Sequence, residues 1–151
     1  MKILLATDGA KQGNAALEML KRLSIQDGDQ IVLVSVVDMP IPVGMDIYGG
    51  YVPDTTELEK TAKDTAARVL SDAKDNLQNY LGDKKVEITT ELLFGSPESR
   101  IVEAAERVRP DLVVVGSHDY SAWERLLIGS VSDAAVHHAP CSVLVVRCPQ
   151  D

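Results

Sequence analysis

The chain has 151 residues, 45% hydrophobic and 25% charged, the size and composition of one globular domain able to bury a core. Fifteen Lys and Arg against 23 Asp and Glu leave a formal charge of −8, which repels nucleic acid and anionic membranes, so any anion site must rest on local donors. No apolar run approaches the roughly 20 residues that span a bilayer, and residues 1–9 are too short in apolar length for a leader, so a cytoplasmic location is expected.

In chain order, residues 2–7 and 31–37 are near-continuous Ile/Leu/Val runs, the signature of parallel strands buried on both faces. Between them Ala15, Ala16, Met19, Leu20 and Leu23 recur at helical spacing. Residues 38–54 break the pattern with three prolines and three glycines among Met, Ile and Tyr. A segment of that length is expected to be a flap, serving as a lid or covering a sheet edge or partner. Ala62, Ala66, Val69, Ala73, Leu77 and Tyr80 predict one long amphipathic helix over 57–81, with Gly82 as its C-cap. Lys84-Lys85 reads as a solvated turn. Val86, Ile88, Thr90 and Leu92 alternate with polar residues, as in an edge strand.

Ser96-Pro97-Glu98 is a helix start with Ser96 as N-cap and proline at the first helical position. Ile101, Val102, Ala105 and Val108 form that helix's apolar stripe, and Pro110 stops it. A strand over 112–115 runs into Gly116-Ser117, a helix from Ser130 reaches about His138, and a last strand covers Ser142–Val146. The βαβαβαβαβ order implies a parallel sheet with helices on both faces.

Ligands in such sheets sit at the carboxyl ends of strands where the strand order reverses. Asp8, Val36 and the stretch Gly116-Ser117-His118-Asp119 project there. Asp8 could accept ribose hydroxyls, hold a cation or simply form an Asx turn before the first helix. Gly129-Ser130 opens a helix, where backbone N–H groups and the helix dipole favour phosphate. Ser130-Val131-Ser132-Asp133 is also a capping-box variant in which Ser130 would cap that helix itself. Other chemistries lack their parts. There is no P-loop, no G-x-S-x-G elbow and no Cys/His zinc spacing, and Phe94-Gly95 stands where a phosphoacceptor Asp would. Cys141 reads as a buried thiol, Cys148 as a near-terminal one. His137 and His138 suit a helix C-terminus, and Trp123, Leu126 and Leu127 are expected to pack under a connecting loop.

These residues carry a resemblance. The opening Lys2-Ile3-Leu4-Leu5-Ala6-Thr7-Asp8-Gly9 and the stretches 126–132 and 138–147 resemble the universal stress protein family over the whole domain. The resemblance implies a Rossmann-like, adenine nucleotide alpha hydrolase-like fold: an open five-stranded parallel sheet in order 3-2-1-4-5, dimerising through Ser142–Val146. It also implies, in nucleotide-binding members, a G-x2-G-x9-G-[S/T] pattern. Gly116 and Gly129-Ser130 match it with the spacing intact, while Asp119 replaces the middle glycine. An adenine nucleotide, ATP or AMP, would then meet Asp8, the backbone near Val36, Gly116, Ser117, Asp119, Gly129 and Ser130. Mg²⁺ could bridge Asp119 to the phosphates. Two readings follow: a stress-response regulatory module that binds nucleotide, or a homodimeric interaction protein whose cleft has given it up. Catalysis would at most be slow, metal-dependent ATP hydrolysis at Asp8 or Asp119.

Overall fold

The computed structural model describes residues 1–38, 56–117 and 129–147. Nine elements alternate along the chain: β1 (Lys2–Ala6), α1 (Lys11–Lys21), β2 (Gln30–Val37), α2 (Thr56–Leu81), β3 (Glu87–Phe94), α3 (Pro97–Val108), β4 (Leu112–Gly116), α4 (Ser130–His138) and β5 (Ser142–Val146). The strands form one parallel sheet in order β3-β2-β1-β4-β5. Ile3 lies beside Ile31, Leu4 beside Val113 and Val114 beside Leu144.

Alternation along each strand divides the core into two layers. Ile3, Leu5, Ile31, Leu33 and Val114 face α1 and α2, where Leu20, Leu70, Ala73 and Leu77 are buried against them. Leu4, Ala6, Val34, Val113 and Val115 face the other way, onto Ile101, Ala104 and Ala105 of α3 and Ala135 of α4. β3, the expected edge strand, exposes Glu87, Thr89 and Thr90 and buries Ile88. The last strand, β5, closes the opposite edge, with Val143, Leu144 and Val145 half-buried.

Helix ends follow local chemistry. Gly82, at φ +58°, donates its N–H to the Gln78 carbonyl and ends α2 in the left-handed conformation that glycine adopts without strain. Arg109 ends α3 at φ +49°, and Pro110 follows.

Several side chains depart from the sequence reading. Tyr80 is exposed rather than part of the buried stripe, because its phenol needs a polar partner. Its hydroxyl donates to the Lys21 carbonyl at 2.6 Å, and the Lys21 ammonium lies 5.6 Å from the ring centroid. Ala62 is exposed as well, since α2 meets the core only from about Ala66 onward. Lys84 sits in its turn but donates its ammonium to the Ile25 carbonyl at 2.8 Å. Cys141 is half-buried rather than buried; burial nonetheless pushes its thiol pKa up. His137 accepts the expected place in the last turn of α4, with Nδ1 2.9 Å from the Asp133 carbonyl.

Ser96 holds the N-cap position of α3, but its hydroxyl makes no capping bond and donates instead to the Glu98 carboxylate. The capping-box reading of Ser130 is also corrected. Gly129 takes the N-cap position and Ser130 is the first helical residue. The hydroxyl that bonds back is that of Ser132, which donates to the Gly129 carbonyl at 2.9 Å. The flap over 38–54 (Asp38 apart), His118, Asp119, Trp123, Leu126, Leu127 and Cys148 lie outside the described residues.

Candidate functional site

The order of strands reverses at β1, which has β2 on one side and β4 on the other. Crossovers leave in opposite directions there, so the carboxyl ends of the strands splay and open a crevice. A solvent-open cleft of about 160 Å³ occupies this place. That is below the roughly 300–1,000 Å³ of sites enclosing a drug-sized ligand, and suits one ring-sized moiety with the rest of the ligand outside. Its apolar walls are Ala6 of β1, Val34 and Val36 of β2, Pro97 and Ile101 of α3, Val115 of β4 and Val131 of α4. Its polar end is built from Thr7, Asp8 and the first turn of α1, Gln12 and Gly13, beside Gly116.

Asp8 lies two residues beyond the end of β1 and is exposed. Its Oδ1 accepts the Ala10 N–H at 2.9 Å, so the Asx turn is present, with the carboxylate set at the rim of the cleft. Thr7 is buried, and its Oγ1 accepts the Gly9 N–H at 3.3 Å. α1 presses closely on this end. A Cβ on Gly13 would lie 2.6 Å from Thr7 Oγ1 and 2.7 Å from Asp8 Oδ1. A Cβ on Gly116 would lie 2.5 Å from the Gln12 carbonyl oxygen. Glycine at 116 is therefore demanded by helix packing, whatever occupies the cleft.

The N-terminus of α4 adjoins the apolar wall through Val131. Its N-cap residue, Gly129, has no side chain to cap it. Ser117 is 4% exposed, donates its backbone N–H to the Val146 carbonyl at 2.8 Å, and has a hydroxyl without a hydrogen-bond partner among the described residues. An orphaned buried hydroxyl marks a place where a ligand or water completes the bonding. Glu98, on the first turn of α3, accepts from the Ser96 hydroxyl. That bond above all, with Ser130 and its own backbone N–H acting in the same direction, holds its carboxyl below the ordinary carboxylate range. Among the described residues no three His, Cys, Asp or Glu side chains converge as a metal-ligand cluster. A divalent ion here would take the Asp8 carboxylate as a protein ligand and draw other oxygens from phosphate and water.

Of the residues expected from the sequence, Asp8, Val36 and Gly116 line one cleft. Ser117, Gly129 and Ser130 neighbour it in the chain without lining it. Thr7, Gln12, Gly13, Pro97, Ile101 and Val131 do line it and were not singled out for it. Thr7 and Gly13 flank the Asp8 turn, and Pro97 and Ile101 had been assigned only to a helix start and its apolar stripe.

A doubly wound parallel sheet with a mostly apolar cleft at its switch point, beside the N-terminus of α4, defines a Rossmann-like α/β domain with its ligand crevice at the strand ends. Comparison with known proteins makes this specific. The chain belongs to the universal stress protein family, whose family model matches residues 1–147. A putative universal stress protein of Staphylococcus aureus strain USA300 is 34% identical over 146 residues, 96% of this chain and 82% of that one. A universal stress protein family protein from Arabidopsis thaliana, solved with AMP bound, superimposes with a TM-score of 0.73 at 19% identity, over 100% of this chain and 94% of that one. A universal stress protein solved in complex with cAMP gives a TM-score of 0.61 at 21% identity, over 97% and 95%. At these identities the two solved structures establish the shared fold. Among the described residues no helix is long and apolar enough to cross a membrane.

Proposed function

We propose that this protein is a stress-response regulatory module that binds an adenine nucleotide in the cleft between β1, β2 and β4. The observation that carries the reading is the split character of the cleft. An apolar slot between Val36, Ile101, Val115 and Val131 suits a planar base, and the carboxylate of Asp8 stands at its polar end, where ribose hydroxyls could donate to it. The phosphates would then run toward the N-terminus of α4, whose N–H groups and dipole favour negative charge. Bound AMP and cAMP in the two related structures support the ligand class. Asp119 adds a carboxylate to the matching loop, so binding of a polyphosphate is expected to improve with Mg²⁺.

Homodimerisation belongs to the same reading. β5 presents a half-buried apolar strand at an open sheet edge, an arrangement that favours pairing with a second copy. A cytoplasmic setting agrees with the free thiol of Cys141.

The test is calorimetric titration of nucleotide-stripped protein with AMP and ATP, with and without Mg²⁺, beside Asp8→Ala and Asp119→Gly. Loss of hydrogen bonds to a charged acceptor costs about 1.5–3 kcal/mol, so Asp8→Ala should weaken AMP roughly 10- to 100-fold. Binding that is unchanged in Asp8→Ala would place the nucleotide elsewhere. No binding by the parent protein, with binding gained in Asp119→Gly, would mean that the scaffold persists and the natural chain does not use nucleotide.

A further inference from the structure

The Asp8 carboxylate is held at the rim of the cleft by the Ala10 N–H. That N–H shares a planar peptide unit with the Gly9 carbonyl, and in a trans peptide the two groups point in opposite directions. The Gly9 carbonyl accepts the side-chain amide of Asn14, on α1, with Nδ2 3.2 Å from the oxygen. Asn14 is itself anchored to this turn, since its backbone N–H donates to the Ala10 carbonyl at 2.9 Å. The other end of the unit is fixed from α2. Gly9 stands at φ +75°, and a Cβ on it would lie 2.6 Å from Val69 Cγ2, so a methyl of Val69 rests on the Gly9 α-carbon. One freedom is then left to the unit, rotation of its plane. Such rotation would carry the Gly9 carbonyl away from Asn14 and the Ala10 N–H away from Asp8 together.

We infer that Asn14 is a positioning residue: by locking the Gly9–Ala10 peptide plane it aims the Asp8 carboxylate at the sugar hydroxyls of a bound nucleotide. The inference rests on the nucleotide reading above. Asn14 does not line the cleft and acts through Asp8, which does. Hydrogen bonds to a carboxylate are directional, so a carboxylate left to swing accepts from ribose less well than one already aimed. The apolar slot between Val36, Ile101, Val115 and Val131 shares none of these contacts, and its hold on a base does not depend on them. Asn14 therefore supports discrimination between a ribose and a sugar without hydroxyls, and leaves recognition of the base untouched.

The experiment titrates AMP and its 2′,3′-dideoxy analogue into the full chain, Asn14→Ala, Asp8→Ala and the double variant. The parent should prefer AMP to the analogue by about 10- to 100-fold. Asn14→Ala should bind AMP about three- to tenfold more weakly and the analogue within about twofold of the parent. In the Asp8→Ala background, Asn14→Ala should change neither ligand further. Asn14 is exposed and alanine is the better helix former, so the melting temperature of Asn14→Ala should not fall. Should it fold poorly by circular dichroism, Asn14→Leu removes the donor at nearly the same volume and gives the same comparison. A parent that prefers AMP, with that preference intact in Asn14→Ala or with both ligands weakened equally, would overturn the inference alone. A parent that binds AMP and the analogue equally, or neither, would overturn the placement of ribose at Asp8 and this inference with it.

Discussion

Replacing Gly116 with alanine tests whether this glycine serves packing rather than ligand. Gly116 closes β4 in strand geometry and is not one of the positive-φ glycines, so alanine suits its backbone and would by itself stabilise by about 0.4–1 kcal/mol through the unfolded chain. The added Cβ, however, would sit 2.5 Å from the Gln12 carbonyl oxygen and 2.7 Å from the Gln12 carbonyl carbon, where ordinary contact begins at 3.4 Å. These are backbone atoms, and no rotamer relieves the overlap. α1 must move away by nearly an ångström, or β4 must. Because both atoms are backbone, the cost falls in the upper part of the overpacking range, about 2–3 kcal/mol, leaving a net loss of roughly 1–2.6 kcal/mol. For a domain of this size that is about 2–10 °C in Tm. Thermal melting by circular dichroism and urea titration of ligand-free protein measure it, and the urea m-value should not change. A variant as stable as the parent in the absence of any nucleotide would refute the packing argument and return Gly116 to a role in ligand contact.

Two further outcomes are expected. Asp29 is buried, its carboxylate accepting the Gln26 N–H at 2.8 Å and bonding the Met1 ammonium, and these partners hold its carboxyl below the ordinary range. Its contribution is full above the unfolded carboxylate value of about 3.9 and is lost as pH falls through the lower folded value. Asp29→Asn should therefore cost about 1 kcal/mol at neutral pH in urea titration and lose less than the parent on acidification; parallel pH curves would contradict this. Light scattering should return twice the mass of one chain for the parent and one chain for Val145→Lys at the β5 edge, whereas a monomeric parent would remove β5 as an interface.

The fold was legible because burial on both faces leaves β1, β2 and β4 as runs of Ile, Leu and Val that polar periodicity cannot interrupt. Chain alternation and right-handed crossovers imply the parallel sheet, and the family resemblance supplied its strand order. Asp8, Val36 and Gly116 were legible as site residues for a simpler reason, since they stand at the carboxyl ends of strands. Ser130 was misread because S-x-x-D suits a cap as well as it suits any first turn. Gly129 takes the cap instead, and Ser130 acts on the carboxyl of Glu98, a residue of another helix that no spacing along the chain relates to it. Tyr80 follows the same logic. Its spacing placed it on the apolar stripe of α2, and the partner that draws it outward, the Lys21 carbonyl, belongs to α1.

The walls of the cleft come from β1, β2, α3, β4 and α4, so they meet only after three crossovers are complete and the helix of the fourth has docked. A chain with any of these units undocked has no cleft to offer, which makes any ligand of this cleft a ligand of the native state alone. At a hundredfold excess over its Kd such a ligand adds about 2.7 kcal/mol to the free energy of unfolding. It would slow the opening of the entire sheet, including strands that it never touches. Heat resistance of this protein in a cell would then rise and fall with the concentration of one small metabolite.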